Sequence, residues 1–398
     1  MNKLTAIFAL FFLGMSLHTN AQHSDDTDNR VFAKFGKGVN FMAKDSSMSL
    51  KLGARFQSLF VAEKSLSDGS PVEKELMVRR FRLKMDGFAF SPKLEYKIEL
   101  ALSNRDNAPV IKEGSNAANI VLDAVLKYSV KDNFEIWFGQ TKLPGNRERV
   151  ISSQNLQFVD RSLVNSFYTL DRDMGLQVHH SFHLGKALIR DNYAISLGQG
   201  RNFTVSDTAG FSYTGRVEVL PFGEFKHGGD YFDADLERET SPKLSVGAGY
   251  SFNDGAVRKG GELGSFLKES RDLRTFFADM MFKYRGWSVS SEYMNKQADH
   301  DPVLKDRTAY FQTGSGWNFQ TGYLFHNNVE LAGRYSTIDP SSSLRYDHYA
   351  GKIKEYTIAF SKYFLGHNLK VQTDLSHTKE EFQQDPSLRY RLQVEFAF

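Results

Sequence analysis

The chain has 398 residues, carries 50 lysines and arginines against 47 aspartates and glutamates for a formal net charge of +3, and contains no cysteine. Balanced charge gives no bulk attraction to nucleic acid, and the missing thiols exclude a disulfide framework, thiolate catalysis and a zinc–thiolate site. The sequence is polar on average, which argues against a bundle of membrane helices. It leaves open a transmembrane β-barrel, whose wall alternates lipid-facing apolar with lumen-facing polar residues.

Residues 1–21 read as a secretory leader: Met1-Asn2-Lys3 is a short positive start, Leu4 to Leu17 is almost unbroken apolar sequence, and Thr19-Asn20-Ala21 offers small residues for cleavage after Ala21. The apolar run is shorter than the ~18–20 residues of a spanning helix. Residues 22–48 are expected to lead into a barrel occupying residues 49–398.

Period-two segments then recur to the end of the chain. Leu50, Leu52, Ala54 and Phe56 alternate with Lys51, Gly53, Arg55 and Gln57, and Leu94, Tyr96, Ile98 and Leu100 alternate with Glu95, Lys97 and Glu99. Strands are also expected at Ile120 to Tyr128, Phe134 to Phe138, Met174 to Phe182, Tyr193 to Leu197, Tyr213 to Val219 and Leu244 to Tyr250. Further ones fall at Phe276 to Tyr284, Trp287 to Tyr293, Thr308 to Thr313, Trp317 to Phe325, Val329 to Tyr335, Tyr356 to Phe364 and Leu369 to His377. Tight joints such as Lys131-Asp132-Asn133 and Arg285-Gly286 contrast with long polar ones at Ser103 to Asn119 and Asn253 to Arg271, and short turns on one rim with long loops on the other are the habit of outer-membrane barrels. Aromatics near strand ends suit girdles at two lipid interfaces.

One long segment breaks the alternation. Within Gln140 to Asp173 the apolar positions Val150, Ile151, Leu156, Phe158, Val159, Leu163 and Val164 recur at three and four, which predicts short helical turns. The pattern serves equally a loop folded into the lumen, carrying Arg149 there, and a cap packed over the mouth.

Other constellations carry little chemistry. His179 and His183 fall on the opposite strand face from His180, so a convergent metal site is not expected. Asp230, Asp233, Asp235 and Glu237 could offer oxygens to calcium, but their spacing lacks an EF-hand pattern, and a solvated extracellular loop is expected. No nucleophile elbow or paired carboxylates can be assembled, so neither an enzyme nor a cofactor is expected. The terminal strand Arg391 to Phe398 alternates Leu392, Val394, Phe396 and Phe398 with polar residues. A closed barrel must pair its last strand with its first, and a terminal Phe resembles the signal read by outer-membrane assembly machinery.

Several stretches, in order, resemble the phosphate-selective porin O and P family: Lys51 to Gln57, Arg79-Arg80-Phe81-Arg82-Leu83 with Asp86-Gly87, Asp123-Ala124 with Tyr128, Phe138-Gly139-Gln140, Glu148-Arg149 with Ser152-Ser153, and Asp160-Arg161-Ser162-Leu163. The resemblance implies an all-β, sixteen-stranded trimeric barrel in the outer-membrane lipid, its third loop folded inward as a constriction. It implies passive diffusion of phosphate or other small anions. Residue by residue, Arg55, Arg79, Arg80 and Arg149 match basic constriction positions, Ser152 and Ser153 match loop hydroxyls, and Asp123 matches an acidic position that would hold an arginine. Guanidinium groups would replace part of an anion's hydration shell with charge-assisted hydrogen bonds.

Strand parity puts Arg80, Arg82, Lys84 and Asp86 on one face and Arg79 on the other, so Arg80 is the expected lumen ligand unless the strand bulges. Arg149 stands where the family's phosphate-selective members tend to have lysine, and Gln154 where a second basic residue is expected. Anion preference is therefore the broader implication and phosphate the narrower one. The rival functions are a general or sugar-oligomer porin, an outer-membrane hydrolase, and an adhesin acting through the long loops.

Overall fold

The computed structural model describes residues 30–67, 69–106, 119–203 and 210–398, so the leader expected over residues 1–21 lies outside the described residues. A hairpin of β1 (Arg30–Lys34) and β2 (Gly38–Met42) comes first. Eight longer strands follow: β3 (Ser49–Ser65), β4 (Glu73–Ala89), β5 (Ser91–Ala101), β6 (Val121–Lys131), β7 (Phe134–Lys142), β8 (Arg172–Leu184), β9 (Ala187–Ser196) and β10 (Ser212–Leu220). Eight more complete the wall: β11 (Lys243–Arg258), β12 (Phe266–Tyr284), β13 (Trp287–Ala298), β14 (Gly314–Leu324), β15 (Val329–Pro340), β16 (Ile353–Leu365), β17 (Leu369–Glu380) and β18 (Ser387–Ala397).

From β3 onward each strand pairs antiparallel with the next, and β18 returns to β3 from Ser387↔Ser65 to Ala397↔Arg55, closing a sixteen-stranded barrel. Closure leaves no unpaired strand edge in lipid. It uses the last backbone groups of the sequence: the Phe398 amide donates to the Ala54 carbonyl at 3.0 Å, and the Ala54 amide donates to the Phe398 carbonyl at 3.1 Å. Beyond that point β3 continues as Ser49 to Leu52 and pairs with β2 instead.

The barrel is built inside out. Gln57, Arg80, Arg82, Glu99, Gln372, Gln393 and Glu395 are buried, whereas Leu76, Phe138 and Ile358 are 80%, 60% and 66% exposed. A wall that hides polar side chains and shows apolar ones faces lipid outward and an aqueous or protein-filled lumen inward. Two aromatic rows bound the apolar band. Tyr293 and Trp317 meet with tilted rings 5.9 Å between centres on one level, and Trp287 and Tyr323 do so at 4.8 Å on the other. Trp317 and Tyr323 are both on β14, roughly 20 Å of strand apart, near the ~25 Å of such bands.

Two expected features are corrected. Thr308 to Thr313 forms no strand: Phe311 is fully buried against Leu304, Leu273 and Ala256 in a loop cluster, so its alternation reflects packing of a cap. Most of Asn253 to Arg271 is strand, with only residues 259–265 left as loop between β11 and β12.

Two segments fold into the lumen. The inner loop, residues 143–171, joins β7 to β8 and holds α1 (Arg147–Val150) and α2 (Leu163–Tyr168). Ser162 caps α2 by accepting from the Asn165 amide at 3.2 Å and itself donates to Glu148. Val164 and Tyr168 pack with Phe277, Met294 and Ile338, and Phe158 packs with Ala332 and Ala359. Each fully buried apolar side chain contributes about 1.5–3 kcal/mol, so the loop is pressed against β12–β16.

The second segment, the inward turn of residues 221–242, joins β10 to β11 on the short-turn rim. It is not the solvated extracellular loop expected: Asp230, Asp233 and Asp235 are at most 5% exposed. Lys283 donates to the Gly229, Phe232 and Ala234 carbonyls at 2.7–2.8 Å. The Asp233 amide donates to the Asn155 carbonyl at 3.0 Å, and the Gln157 amide donates to the Asp233 carboxylate at 3.1 Å. The inward turn thus braces the inner loop from the short-turn rim.

Candidate anion constriction

The register of β3 against β4 slips between Gln57↔Arg80 and Ser58↔Val78, leaving Arg79 without a partner. This is a β-bulge, one extra residue on one strand. Above it Glu75 and Met77 face the lumen and Leu76 and Val78 face lipid; below it Arg80 and Arg82 face inward and Phe81 outward. Arg79 and Arg80 therefore both point into the barrel, where unbroken parity would allow only Arg80. Both meet one carboxylate of the inner loop, Arg79 donating to Asp160 at 3.0 Å and Arg80 at 2.9 Å. Burial alone would raise the Asp160 pKa, but the charges of Arg80 and Arg79 outweigh it and hold the carboxyl well below its ordinary range.

Arg55 is 1% exposed. It donates to Ser153 Oγ at 2.6 Å and to Glu395 at 3.3 Å, while Gln57 donates to Glu395 and to the Ser153 carbonyl. Ser153 is thus spent on tying the inner loop to β3. Arg55→Ala leaves Glu395 buried without its cation, so the expected result is a loss of about 3–5 kcal/mol of stability with little change in ion preference. Thermal unfolding in detergent and reversal potentials in bilayers check both halves.

Asp123, fully buried on β6, accepts from Arg172 at 2.8 Å, from Lys97 at 2.6 Å and from Thr141 at 3.3 Å. Arg82 donates to Glu99 at 2.9 Å and Asp106 at 3.2 Å. Arg149 on α1 pairs with Asp171, and Arg161 donates to the Glu148 and Ile151 carbonyls at 2.8 Å. The four arginines named from sequence are thus each held by a carboxylate: Glu395, Asp160 for two of them, and Asp171.

Between the inner loop and the β4–β10 wall lies a cavity of about 380 Å³ whose lining includes seven basic side chains, Arg82, Lys84, Lys97, Lys127, Lys142, Arg172 and Arg216, against two carboxylates, Glu99 and Glu218. Lys142 donates to the Val150 and Ile151 carbonyls at 3.1 Å, and Lys127 lies 3.9 Å from the Trp137 ring centre. Neither these two nor Lys84 forms an ion pair within 4 Å among the described residues, although Lys84 stands directly across the ladder from Glu99. Ser152 also lines the cavity, and its hydroxyl accepts a long contact from the Gln154 amide at 3.4 Å. Lys84 was readable from the parity of Arg80. Arg172 and Lys142, at the strand ends flanking the inner loop, carried no pattern of their own.

The histidines do not converge: His179 stacks on Trp137 at 3.8 Å, while His180 pairs with Asp191 at 2.9 Å. Among the described residues no cluster of histidines and carboxylates is arranged to hold a metal ion.

A closed, lipid-facing antiparallel barrel narrowed by an inward loop defines an outer-membrane porin. A family model described as phosphate-selective porin O and P matches residues 50–396, and the chain belongs to that family. Solved structures share the fold at low identity. The anion-selective porin from Comamonas acidovorans superposes with a TM-score of 0.52 at 12% identity, covering 88% of this chain and 100% of that one. The outer-membrane channel DcaP of Acinetobacter baumannii gives 0.55 at 14%, covering 91% and 100%. OmpT of Vibrio cholerae, in a trimer form, gives 0.54 at 10%, covering 88% and 100%. Among curated protein sequences no match was found.

Proposed function

We propose that the protein is a passive diffusion channel for small anions, with phosphate or related oxyanions as the substrate class suggested by the family. The observation that supports this reading is the excess of basic over acidic side chains lining the passage beside the inner loop. An anion there exchanges hydration for ammonium and guanidinium donors that are fixed in place, and their number spreads the binding over several weak steps. Lys84, Lys142, Arg172 and Ser152 contact the ion in this reading, Arg79, Arg80 and Arg149 set the field at its entrance, and Asp123 positions Arg172 and Lys97. Export by the leader, assembly through the Phe398 strand and a homotrimer, as in the trimer form of OmpT, belong to the same proposal.

The test is chloride current through the purified protein in a planar bilayer while phosphate is added in steps. Saturable block together with an anion-directed reversal potential is expected. Steady current would indicate a channel without an oxyanion site, and no current would favour a loop-borne adhesin or rim enzyme.

A further inference from the structure

The cavity beside the inner loop is more than a ring of charge. Its strand wall supplies cations, but the inner loop and inward turn present carbon to the same space: Val150 at the end of α1 and Tyr231 of the inward turn, both half-buried, with the half-buried indole of Trp137 from β7. Trp137 is held in place from two directions, its ring stacked on His179 at 3.8 Å, Lys127 3.9 Å from its centre, and its indole N–H donating to Glu135 at 2.7 Å. Tyr231 is likewise fixed, with the Arg147 and Arg190 guanidinium carbons 6.0 and 5.6 Å from its ring centre. A bare oxyanion gains little from the carbon of these surfaces, because the Val150 side chain and the ring faces offer its oxygens no donors and displace water that would. An anion with a carbon body gains on both sides.

Resting on the anion-channel reading, we infer that the preferred solute is an organic anion: an acid group on an apolar or ring-shaped body, the acid held by Lys84 and Lys142 and the body lying against Val150, Tyr231 and the edge of Trp137. A space of about 380 Å³ accommodates a single ring bearing one acid group and lies within the ~300–1,000 Å³ of small-molecule sites.

The experiment compares three blockers of chloride current in bilayers: inorganic phosphate, methyl phosphate and phenyl phosphate, which share the acid group and differ in the body. Half-block by phenyl phosphate is expected at a concentration at least ~10-fold below that of methyl phosphate, the equivalent of about 1.4 kcal/mol of contact. In Val150→Ser, which keeps the carbonyl that Lys142 bonds, that advantage is expected to shrink several-fold while inorganic phosphate blocks as before. Equal block by phenyl and methyl phosphate would overturn the inference and leave the anion channel standing. Failure of all three to block would remove the anion reading itself. A phenyl advantage unaltered in both Val150→Ser and Tyr231→Ser would place the ring elsewhere in the pore and also overturn the assignment.

Discussion

Asp160→Asn is expected to loosen the inner loop and sharpen anion binding at once. The carboxylate accepts from Arg79 and Arg80 together, and the Asp160 backbone carbonyl accepts from Arg334 at 2.9 Å. Losing its charge strands two guanidinium groups, one almost fully buried, at a cost of about 2–4 kcal/mol, between the values for exposed and buried pairs. Single-channel recordings should show new open-channel noise as the loop fluctuates, and phosphate block should tighten several-fold through the freed charge. Quiet recordings with unaltered block would mean that the apolar packing of Val164, Tyr168 and Phe158 holds the loop unaided. The pH dependence follows from the same pair. A carboxyl held below its ordinary pKa contributes stability that is complete above about pH 4, the unfolded value, and is lost as pH falls through the lower folded value. The wild-type latch should therefore be silent from pH 5 to 8, and noise beginning near pH 5 would refute the assignment.

Lys84→Glu should produce the largest change in selectivity. Its ammonium has no ion pair within 4 Å among the described residues, and its cross-strand neighbour Glu99 is already engaged by Arg82 and Lys97. Reversing this charge acts on a passing anion through roughly 2 kcal/mol per unit charge at ~8 Å and an effective dielectric of ~20. Half-block by phosphate should need at least ~10-fold more phosphate, and the reversal potential should move toward cations, with Lys84→Gln intermediate. A modest loss of stability is expected, because Lys84 stands directly across from the buried Glu99 and the reversal sets two carboxylates opposite each other; Lys84→Gln should lose less. Unchanged reversal potentials in Lys84→Glu would move the selective step away from this cavity.

Much of the barrel was legible because its physics is periodic. A wall that meets lipid on one side and water on the other must alternate, and Leu94 to Leu100 or Leu369 to His377 could hardly be read otherwise. Thr308 to Thr313 alternates too, but six residues cannot distinguish a strand from a capping loop that inserts one phenylalanine. The inward turn was misread for a different reason. Asp230, Asp233 and Asp235 look like groups that seek water, and only the fold brings Lys283, Arg190 and the backbone amides of Gln157 and Gly286 against them.

At the constriction the basic residues were visible, but their pairing was not. Sequence order separates Arg55 from Glu395 and Arg80 from Asp160, so nothing local indicates that the named arginines are already neutralised. Parity placed Lys84 beside Arg80 without revealing that Arg82 and Lys97, rather than Lys84, make the close ion pairs with Glu99 across the ladder. Parity alone selects Arg80, and the slipped register at Gln57 turns Arg79 inward beside it.

That slip also bears on how such a wall can change over generations. In a strand whose sides face oil and water, gaining or losing one codon ordinarily turns every following side chain to the wrong side. At the bulge the reverse holds: dropping either arginine codon joins outward Val78 to an inward arginine and restores unbroken alternation, with Leu76, Phe81 and Leu83 still in lipid. A channel of this kind can shed or acquire a guanidinium beside its inner loop by a triplet deletion or insertion, altering permeability without passing through an unfoldable intermediate.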